Sequence, residues 1–255
     1  MNRQPYLSVI VPCYNEGLFL EKNLAEIVGF FAAKSYSWEL LVVDDGSRDA
    51  TPSKIRAWEA RDPRVRGFSN GVNRGKGAAI RRGVENARGE AILFFDIDLS
   101  TPLEEADRLL PFLGDHDVVI GARKHRDAVI LVHQPRHREI MGKIFTVLSN
   151  GLLVKGIHDV TCGFKCFRSS SAKRIFRVQK IDRWVFDTEI LFLAQTFGCR
   201  IAQVPVHWAD HRDSRVSLFR DAFGSFRDLF RIKLNHWRGR YNDGTPTARS
   251  SRARE

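Results

Sequence analysis

No stretch of this 255-residue chain approaches the ~18 consecutive apolar residues that a bilayer-spanning helix needs. Its first 12 residues carry only a short apolar run that ends in Pro12, with no small-residue cleavage site. That run is too short for a signal peptide and reads as a first strand, which makes a cytosolic location the expectation. Cysteine is sparse, four residues in all. Cys162 and Cys166 stand four apart, but no second pair or His cluster completes a zinc site, so the thiols read as reduced. A full phosphate loop, GxxxxGK[ST], is also missing; Asn73-Arg74-Gly75-Lys76-Gly77 resembles it only loosely, which argues against an ATPase. No internal repeat is visible.

Apolar residues make up 43% of the chain, enough to bury a full core. Positive charge is in excess by 11, and it is unevenly placed. Residues 212–255 hold 11 basic against 5 acidic side chains, more than half of the excess in the last 44 positions. A basic end of this kind suits an anionic surface, either lipid or nucleic acid.

Strand and helix patterns alternate over the first 120 or so residues. Leu7-Ser8-Val9-Ile10-Val11, Glu39-Leu40-Leu41-Val42-Val43, Val65-Arg66-Gly67-Phe68, Ala91-Ile92-Leu93-Phe94-Phe95 and Asp117-Val118-Val119-Ile120-Gly121 read as strands. Helical spacing fills the intervals, with Pro52 and Pro102 suited to first turns. This pattern predicts an α/β fold with a mostly parallel, doubly wound sheet. Beyond Arg123 the alternation breaks. Residues 124–138 read as a mobile polar loop, 140–153 as a helix, 156–167 as a loop, 184–197 as a helix, 200–208 as a strand and 216–237 as a helix.

Ligands of such sheets bind past the carboxyl ends of the strands, and polar clusters sit at those ends. The most informative is Asp96-Ile97-Asp98. Residues i and i+2 of an extended chain point to the same side, so the two carboxylates can reach one point. Carboxylates beside an apolar strand are costly unless paired or holding a cation. A hard divalent ion takes one or two carboxylates and completes its shell with water and phosphate oxygens; the alternative is that the acids cap the next helix. After the first strand come Pro12, Tyr14, Asn15 and Glu16, either a turn laid against a nucleotide or a helix cap. After the second come Asp44, Asp45, Gly46 and Ser47, which can accept hydrogen bonds from a base or ribose, or form a turn. Lys76 offers a cation at a helix start.

The order and wording of these segments resemble family-two glycosyltransferases with the GT-A fold. Val9-Ile10-Val11-Pro12-Cys13-Tyr14-Asn15-Glu16, Val42-Val43-Asp44-Asp45-Gly46-Ser47, Asn73-Arg74-Gly75-Lys76-Gly77 and Asp96-Ile97-Asp98 carry the likeness. Gly121-Ala122-Arg123, Asp159-Val160-Thr161-Cys162-Gly163-Phe164-Lys165, Trp184-Val185-Phe186-Asp187-Thr188-Glu189 and Val204-Pro205-Val206-His207-Trp208 are similar to the branch that makes polyprenyl- and dolichyl-phosphate sugars. The resemblance implies an inverting, metal-dependent hexosyltransferase. Its donor would be a nucleotide sugar, UDP-glucose rather than GDP-mannose, and its acceptor a polyprenyl phosphate. Pro12, Tyr14, Glu16, Asp44, Asp45 and Lys76 would line the nucleotide pocket with Asp96. Asp96 and Asp98 would hold Mg²⁺ or Mn²⁺; Ser100 stands where relatives often place Gln. Arg123, Arg138, Arg212 and Arg215 would hold the acceptor phosphate, and Asp98, Asp159, Asp187 and Arg123 would form the catalytic set.

The implied organisation is a catalytic domain over residues 1–210, with a nucleotide-binding half (1–123) and an acceptor half (124–210). A basic amphipathic helix (211–240) and a disordered tail (241–255) follow. Phe219, Phe223, Phe226, Phe230, Leu234 and Trp237 form one stripe on that helix, with Arg220, Arg227, Arg231 and Lys233 off it. The stripe fits a membrane surface, with peripheral attachment at the inner face, or else a helix covering the sheet. Two other functions compete. One is a family-two enzyme acting on a saccharide hydroxyl, in which one of the carboxylates would have to accept a proton. The other, nucleic-acid binding, is disfavoured by the acids at the strand ends and by a tail without interleaved aromatics.

Overall fold

The computed structural model describes residues 4–210 and 218–243, with side chains throughout except at 218–223. A seven-stranded sheet runs in the order β3-β2-β1-β4-β7-β5-β8. Its strands are β1 (Leu7–Cys13), β2 (Trp38–Asp44), β3 (Val65–Ser69), β4 (Ala91–Phe94), β5 (Val118–Ala122), β7 (Lys165–Arg168) and β8 (Ile201–Pro205). A two-stranded sheet pairs β6 (Val129–Val132) in parallel with β9 (His207–Ala209).

Alternation sorts each central strand into two cores. Leu7, Val9 and Val11 of β1 face one cluster, with Leu20, Leu24, Ile27 and Phe31 of α1 (Leu20–Ala32) and Ile55 and Trp58 of α2 (Thr51–Arg61). Ile10 faces the other, with Ala79, Ile80 and Val84 of α3 (Lys76–Asn86). The second cluster continues into α6 (Ser169–Val178), α7 (Phe186–Thr196) and α8 (Leu218–Trp237). On the first side lies the short α4 (Glu105–Leu109), followed by a 3₁₀ turn at Leu110–Gly114. Gly83 lets α3 close on β1, since a Cβ there would lie 2.4 Å from Ile10 Cγ2.

Three expectations for the second half are corrected. The loop at 156–167 ends in β7, which lies between β4 and β5 and is antiparallel to both. Its pattern is a four-residue Lys-Cys-Phe-Arg. So short a run lacks a period of its own, and pairing on both sides is what makes it a strand. The loop at 124–138 contains β6, and its last residues begin α5 (Arg136–Leu152). The single strand at 200–208 is two strands in different sheets.

The C-terminal helix also differs. Leu229 and Ile232 of α8 are fully buried and Phe226 packs against the same core, whereas Phe230, Leu234 and Trp237 stay exposed. Among its described side chains the stripe is therefore split between core and surface; those of Phe219 and Phe223 lie outside the described residues. Tyr241, placed by its surroundings in the tail, is buried and bonds to Glu189. Asp243 is bound by Arg174 and Arg177 of α6.

Candidate active site

Because β7 is antiparallel, its first residue, Lys165, comes to the carboxyl edge of the parallel strands, in register with Phe94 and Ile120. The segment leading into β7 thus meets the ends of β4 and β5. Strand order reverses between β1 and β4 at the same edge, the usual ligand crevice of a doubly wound sheet.

Past β4, Ile97 turns into the core while Asp96 is half-buried and Asp98 exposed. The backbone N–H of Ser100 donates to Asp98 Oδ1 at 3.0 Å, across Leu99 in the left-handed region (φ 54°). Leucine rarely adopts that conformation, and such strain collects at functional turns. Lys76 Nζ lies 2.5 Å from Asp96 Oδ1. Burial opposes the charge on Lys76, but Asp96, Asp187 and Asp98 together outweigh it and raise its pKa. Although the residue as a whole is exposed, desolvation by the protein atoms around its carboxyl, and then the charge of Asp96, push the Asp98 carboxyl up. Gly163 seals this corner: a Cβ there would fall 2.3 Å from Asp96 Oδ2 and 3.0 Å from Lys76 Nζ.

The turns after β1 and β2 are stitched together. Ser47 Oγ accepts the N–H of Asn15 at 2.8 Å, and Asn15 Oδ1 accepts that of Arg48 at 2.8 Å. Thr51 Oγ1 accepts the N–H of Glu16 at 2.9 Å. Pro12 is buried in β1, and Tyr14 and Glu16 are half-buried in the turn beyond it. Asp44 accepts the Ser47 N–H at 3.0 Å and the Ser69 hydroxyl at 3.2 Å. Asp45 accepts from the Asn70 amide and the Gly75 N–H, both at 2.7 Å, and from the Arg74 N–H at 3.1 Å. Both acids are buried and hold the loops that frame the crevice. Gly75 takes φ 115°, which suits glycine alone, and places Lys76 at the start of α3.

On the other flank, Arg123 leaves the end of β5. Its Nε donates to Asp159 Oδ2 at 2.7 Å, and its Nη2 to Asp159 Oδ1 at 3.0 Å and Thr161 Oγ1 at 2.9 Å. The guanidinium lies over the Trp208 ring at 5.4 Å. Lys124 Nζ stands 3.6 Å from the same carboxylate. Burial works against the Asp159 charge, but Arg123 and Lys124 overcome it and hold its pKa well below the usual carboxylate range. An acid so held is a poor proton acceptor at neutral pH. Asp159 is thus the partner that fixes Arg123. Arg138 lies in the first turn of α5. Arg212 and Arg215 fall outside the described residues.

Asp187, in the first turn of α7, is buried, and Lys165 Nζ lies 2.5 Å from its Oδ1. Lys165 is fully buried and also donates to the carbonyls of Val160, at 3.4 Å, and Cys162. Desolvation raises the Asp187 pKa against the pull of Lys165 and Lys76. His207 is tied to buried Glu105, with Nδ1 2.5 Å from Oε1, and acts as a structural partner there.

Residues 8–176 match the model of glycosyl transferase family 2. The chain belongs to that family. This glycosyltransferase is 35% identical, over 92% of its length and 76% of the relative's, to dolichyl-phosphate beta-glucosyltransferase of Dictyostelium discoideum. Its GT-A fold is similar to that of glucosyl-3-phosphoglycerate synthase from Mycobacterium tuberculosis, solved with Mn²⁺ and UDP-glucose (TM-score 0.62, 20% identity, 96% of this chain and 81% of that one). It is also similar to the mannosyltransferase PcManGT from Pyrobaculum calidifontis, solved with GDP-mannose and Mn²⁺ (TM-score 0.57, 21% identity, 90% of this chain and 65% of that one).

The glycosyltransferase site contains residues to which sequence reasoning gave no role: Lys165, Thr161, Gly163 and Asp182. Lys165 had a visible signal, a lone lysine inside the apolar run Phe164-Lys165-Cys166-Phe167. Asp182 had none; its bonds to Arg74 (3.4 Å) and Arg81 (2.7 Å) span more than 100 positions of sequence.

Proposed function

We propose that this enzyme transfers glucose from UDP-glucose to a polyprenyl phosphate of the dolichyl type, with inversion at the anomeric carbon. One observation carries the reading: the acid pair Asp96 and Asp98, with Lys76, meets the fixed Arg123 cluster at one sheet edge. A polyanionic donor and a polyanionic acceptor need such an arrangement, and the D. discoideum relative bears the name of that reaction.

A divalent cation fits the donor side. Asp98 is exposed beside Asp96, and among the described residues no third acid, His or Cys completes a closed cage. Two carboxylates and an open side suit Mg²⁺ or Mn²⁺, whose other ligands are water and phosphate oxygens. When bound, the ion neutralises charge growing on the leaving diphosphate. Lys76 keeps Asp96 oriented toward that point and adds positive charge to the crevice. Tyr14, Glu16, Asp44 and Asp45 frame the nucleoside, the last two by holding their loops.

The acceptor phosphate oxygen attacks the anomeric carbon as the bond from that carbon to the diphosphate oxygen breaks. A phosphate monoester has its second pKa near ~6, so the nucleophile is already ionised and needs no protein base. This agrees with the state of the two remaining acids, one spent on Arg123 and the other on Lys165. With Nε and Nη2 committed to Asp159 and Thr161, Arg123 presents Nη1 to the acceptor phosphate in a fixed orientation. Arg138, Arg212 and Arg215 are assigned to the same anion.

A lipid acceptor calls for contact with a membrane surface, and α5 offers one. Its inward side packs Phe145, Leu148 and Leu152 against the core beside buried Thr146 and Ser149, while Ile140, Ile144 and Val147 point outward at 57%, 45% and 71% exposure, beside Arg136 and Lys143. Exposed β6 residues Val129, Leu131 and Val132 extend the apolar surface. No helix among the described residues is long and apolar enough to cross a membrane. Attachment at the cytoplasmic face by this surface is part of the proposal.

The test is transfer of labelled sugar from UDP-glucose and from GDP-mannose, in parallel, to polyprenyl phosphate in detergent with Mg²⁺, beside an Asp98→Asn control. A glucolipid made from UDP-glucose and lost in the control is expected. Donor binding with no lipid product would overturn the acceptor assignment.

A further inference from the structure

Glu189 lies two residues beyond Asp187 on α7, and its carboxylate is fully buried with no part in the chemistry described above. Its Oε2 accepts the backbone N–H of Ile181 at 2.8 Å, and its Oε1 that of Lys180 at 3.0 Å. Oε1 also accepts the hydroxyl of Tyr241 at 2.5 Å. Tyr241 comes from the segment after α8, where it packs at an angle against Phe192 (ring centroids 6.4 Å apart). Three donors on one buried carboxylate are enough to fix the 179–182 backbone in place.

That backbone is clamped onto the turn that carries Lys76. The Ala78 N–H donates to the Asp182 carbonyl at 3.1 Å, and the Gln179 amide donates to the Gly77 carbonyl at 3.2 Å. The Asp182 carboxylate takes Arg81 at 2.7 Å and Arg74 at 3.4 Å. Packing is close enough that a Cβ at Gly75 would meet the Asp182 carbonyl oxygen at 2.5 Å, and one at Gly77 the Ile181 carbonyl oxygen at 2.8 Å. Lys76, between those glycines, sits against Asp96.

We propose that Glu189 and Tyr241 are positioning residues for the donor: they fix the 179–182 backbone, which fixes the Lys76 turn, so that closure of the C-terminal segment on α7 sets affinity for the nucleotide sugar. The inference rests on the reading of Lys76 as part of the donor pocket. It assigns a function to a stretch of chain otherwise remote from the crevice.

The test measures UDP-glucose binding with Mg²⁺ by calorimetry, steady-state KM for donor and acceptor, and Tm. It uses full-length wild type, Tyr241→Phe, Glu189→Gln, Lys76→Met and, as a packing control, Leu229→Ala. Leu229 is fully buried on α8 and makes none of the bonds above. Tyr241→Phe keeps the ring and removes only the hydroxyl, so it remains informative if Glu189→Gln fails to fold. Donor KM and Kd are expected to rise about tenfold in Tyr241→Phe and Glu189→Gln, a factor equivalent to about 1.4 kcal/mol. Acceptor KM should stay within about twofold, and Leu229→Ala should lower Tm without changing donor KM. Unchanged donor affinity in Tyr241→Phe, or an equal rise in Leu229→Ala, would overturn the proposal while leaving the donor pocket intact. Unchanged donor affinity in Lys76→Met would overturn the pocket assignment and this inference together.

Discussion

Replacing Gly163 by alanine should damage catalysis far more than stability. The added Cβ would stand 2.3 Å from Asp96 Oδ2, against an ordinary carbon–oxygen approach of about 3.3 Å. One of the two must move by about 1 Å. Gly163 is held by the chain running into β7, whereas Asp96 is a half-buried side chain that can turn about its own bonds at the cost of its contact with Lys76, so Asp96 yields. A displacement of that size at a group that orients reacting partners costs roughly 10²-fold, or about 2.7 kcal/mol of barrier. The fold should lose about 1 kcal/mol or less, because the side chain can relieve the contact toward solvent. The assay is kcat/KM for glucosyl transfer at several Mg²⁺ concentrations, with a urea melt of the same protein. Gly151→Ala, on the open side of α5 with nothing within 4 Å of its Cβ, is the matched control and should leave both quantities near wild type. Transfer by Gly163→Ala within about threefold of wild type would refute the placement of Asp96 at the reacting centre.

Lys165→Met should destabilise the protein by roughly 3–5 kcal/mol in urea, since it leaves Asp187 buried without its cation. Adding Asp187→Leu should recover most of that loss, and a single variant as stable as wild type would show that the pair is not needed. The depressed pKa of Asp159 sets a pH dependence. Ionised Asp159 stabilises the fold fully above its unfolded pKa of about 3.9, and that contribution fades as pH falls through and below this value. The stability gap between wild type and Asp159→Asn should therefore be widest above about pH 5 and should narrow below about pH 4; a gap constant down to pH 3 would contradict the ion pair with Arg123. Ile140→Glu with Ile144→Glu should abolish co-flotation with vesicles containing anionic lipid, while transfer to a short, detergent-soluble polyprenyl phosphate stays within about threefold. Flotation equal to wild type would remove α5 from the membrane surface.

Much of the site was legible because parallel-sheet proteins write it locally. Asp96 and Asp98 were legible as acids just past an apolar strand, but the alternation argued for them does not hold: β4 ends at Phe94, and the Leu99 N–H donates to the Asp96 carbonyl at 3.2 Å to close a turn that keeps Ile97 in the core. Asp44 and Asp45 were legible as turn acids, but their buried bonds to Ser69 and Asn70 depend on β3 arriving beside β2. Arg123 was visible as a basic residue at a strand end. Its bidentate partner, 36 positions later, was not predicted as such.

By itself, the sequence determined the alternating first half, the edge of the sheet where the chemistry gathers, and the carboxylates at the end of β4. Periodicity and turn chemistry are local, so a single chain displays them. Tertiary structure alone decided that Lys-Cys-Phe-Arg becomes an antiparallel strand between β4 and β5, and that Lys165 thereby reaches Asp187. It also drew Tyr241 out of a polar tail and onto Glu189, 52 positions away. A four-residue strand and a single aromatic are held by partners distant in sequence, and the burial that stabilises them exists only once the sheet and α7 have formed.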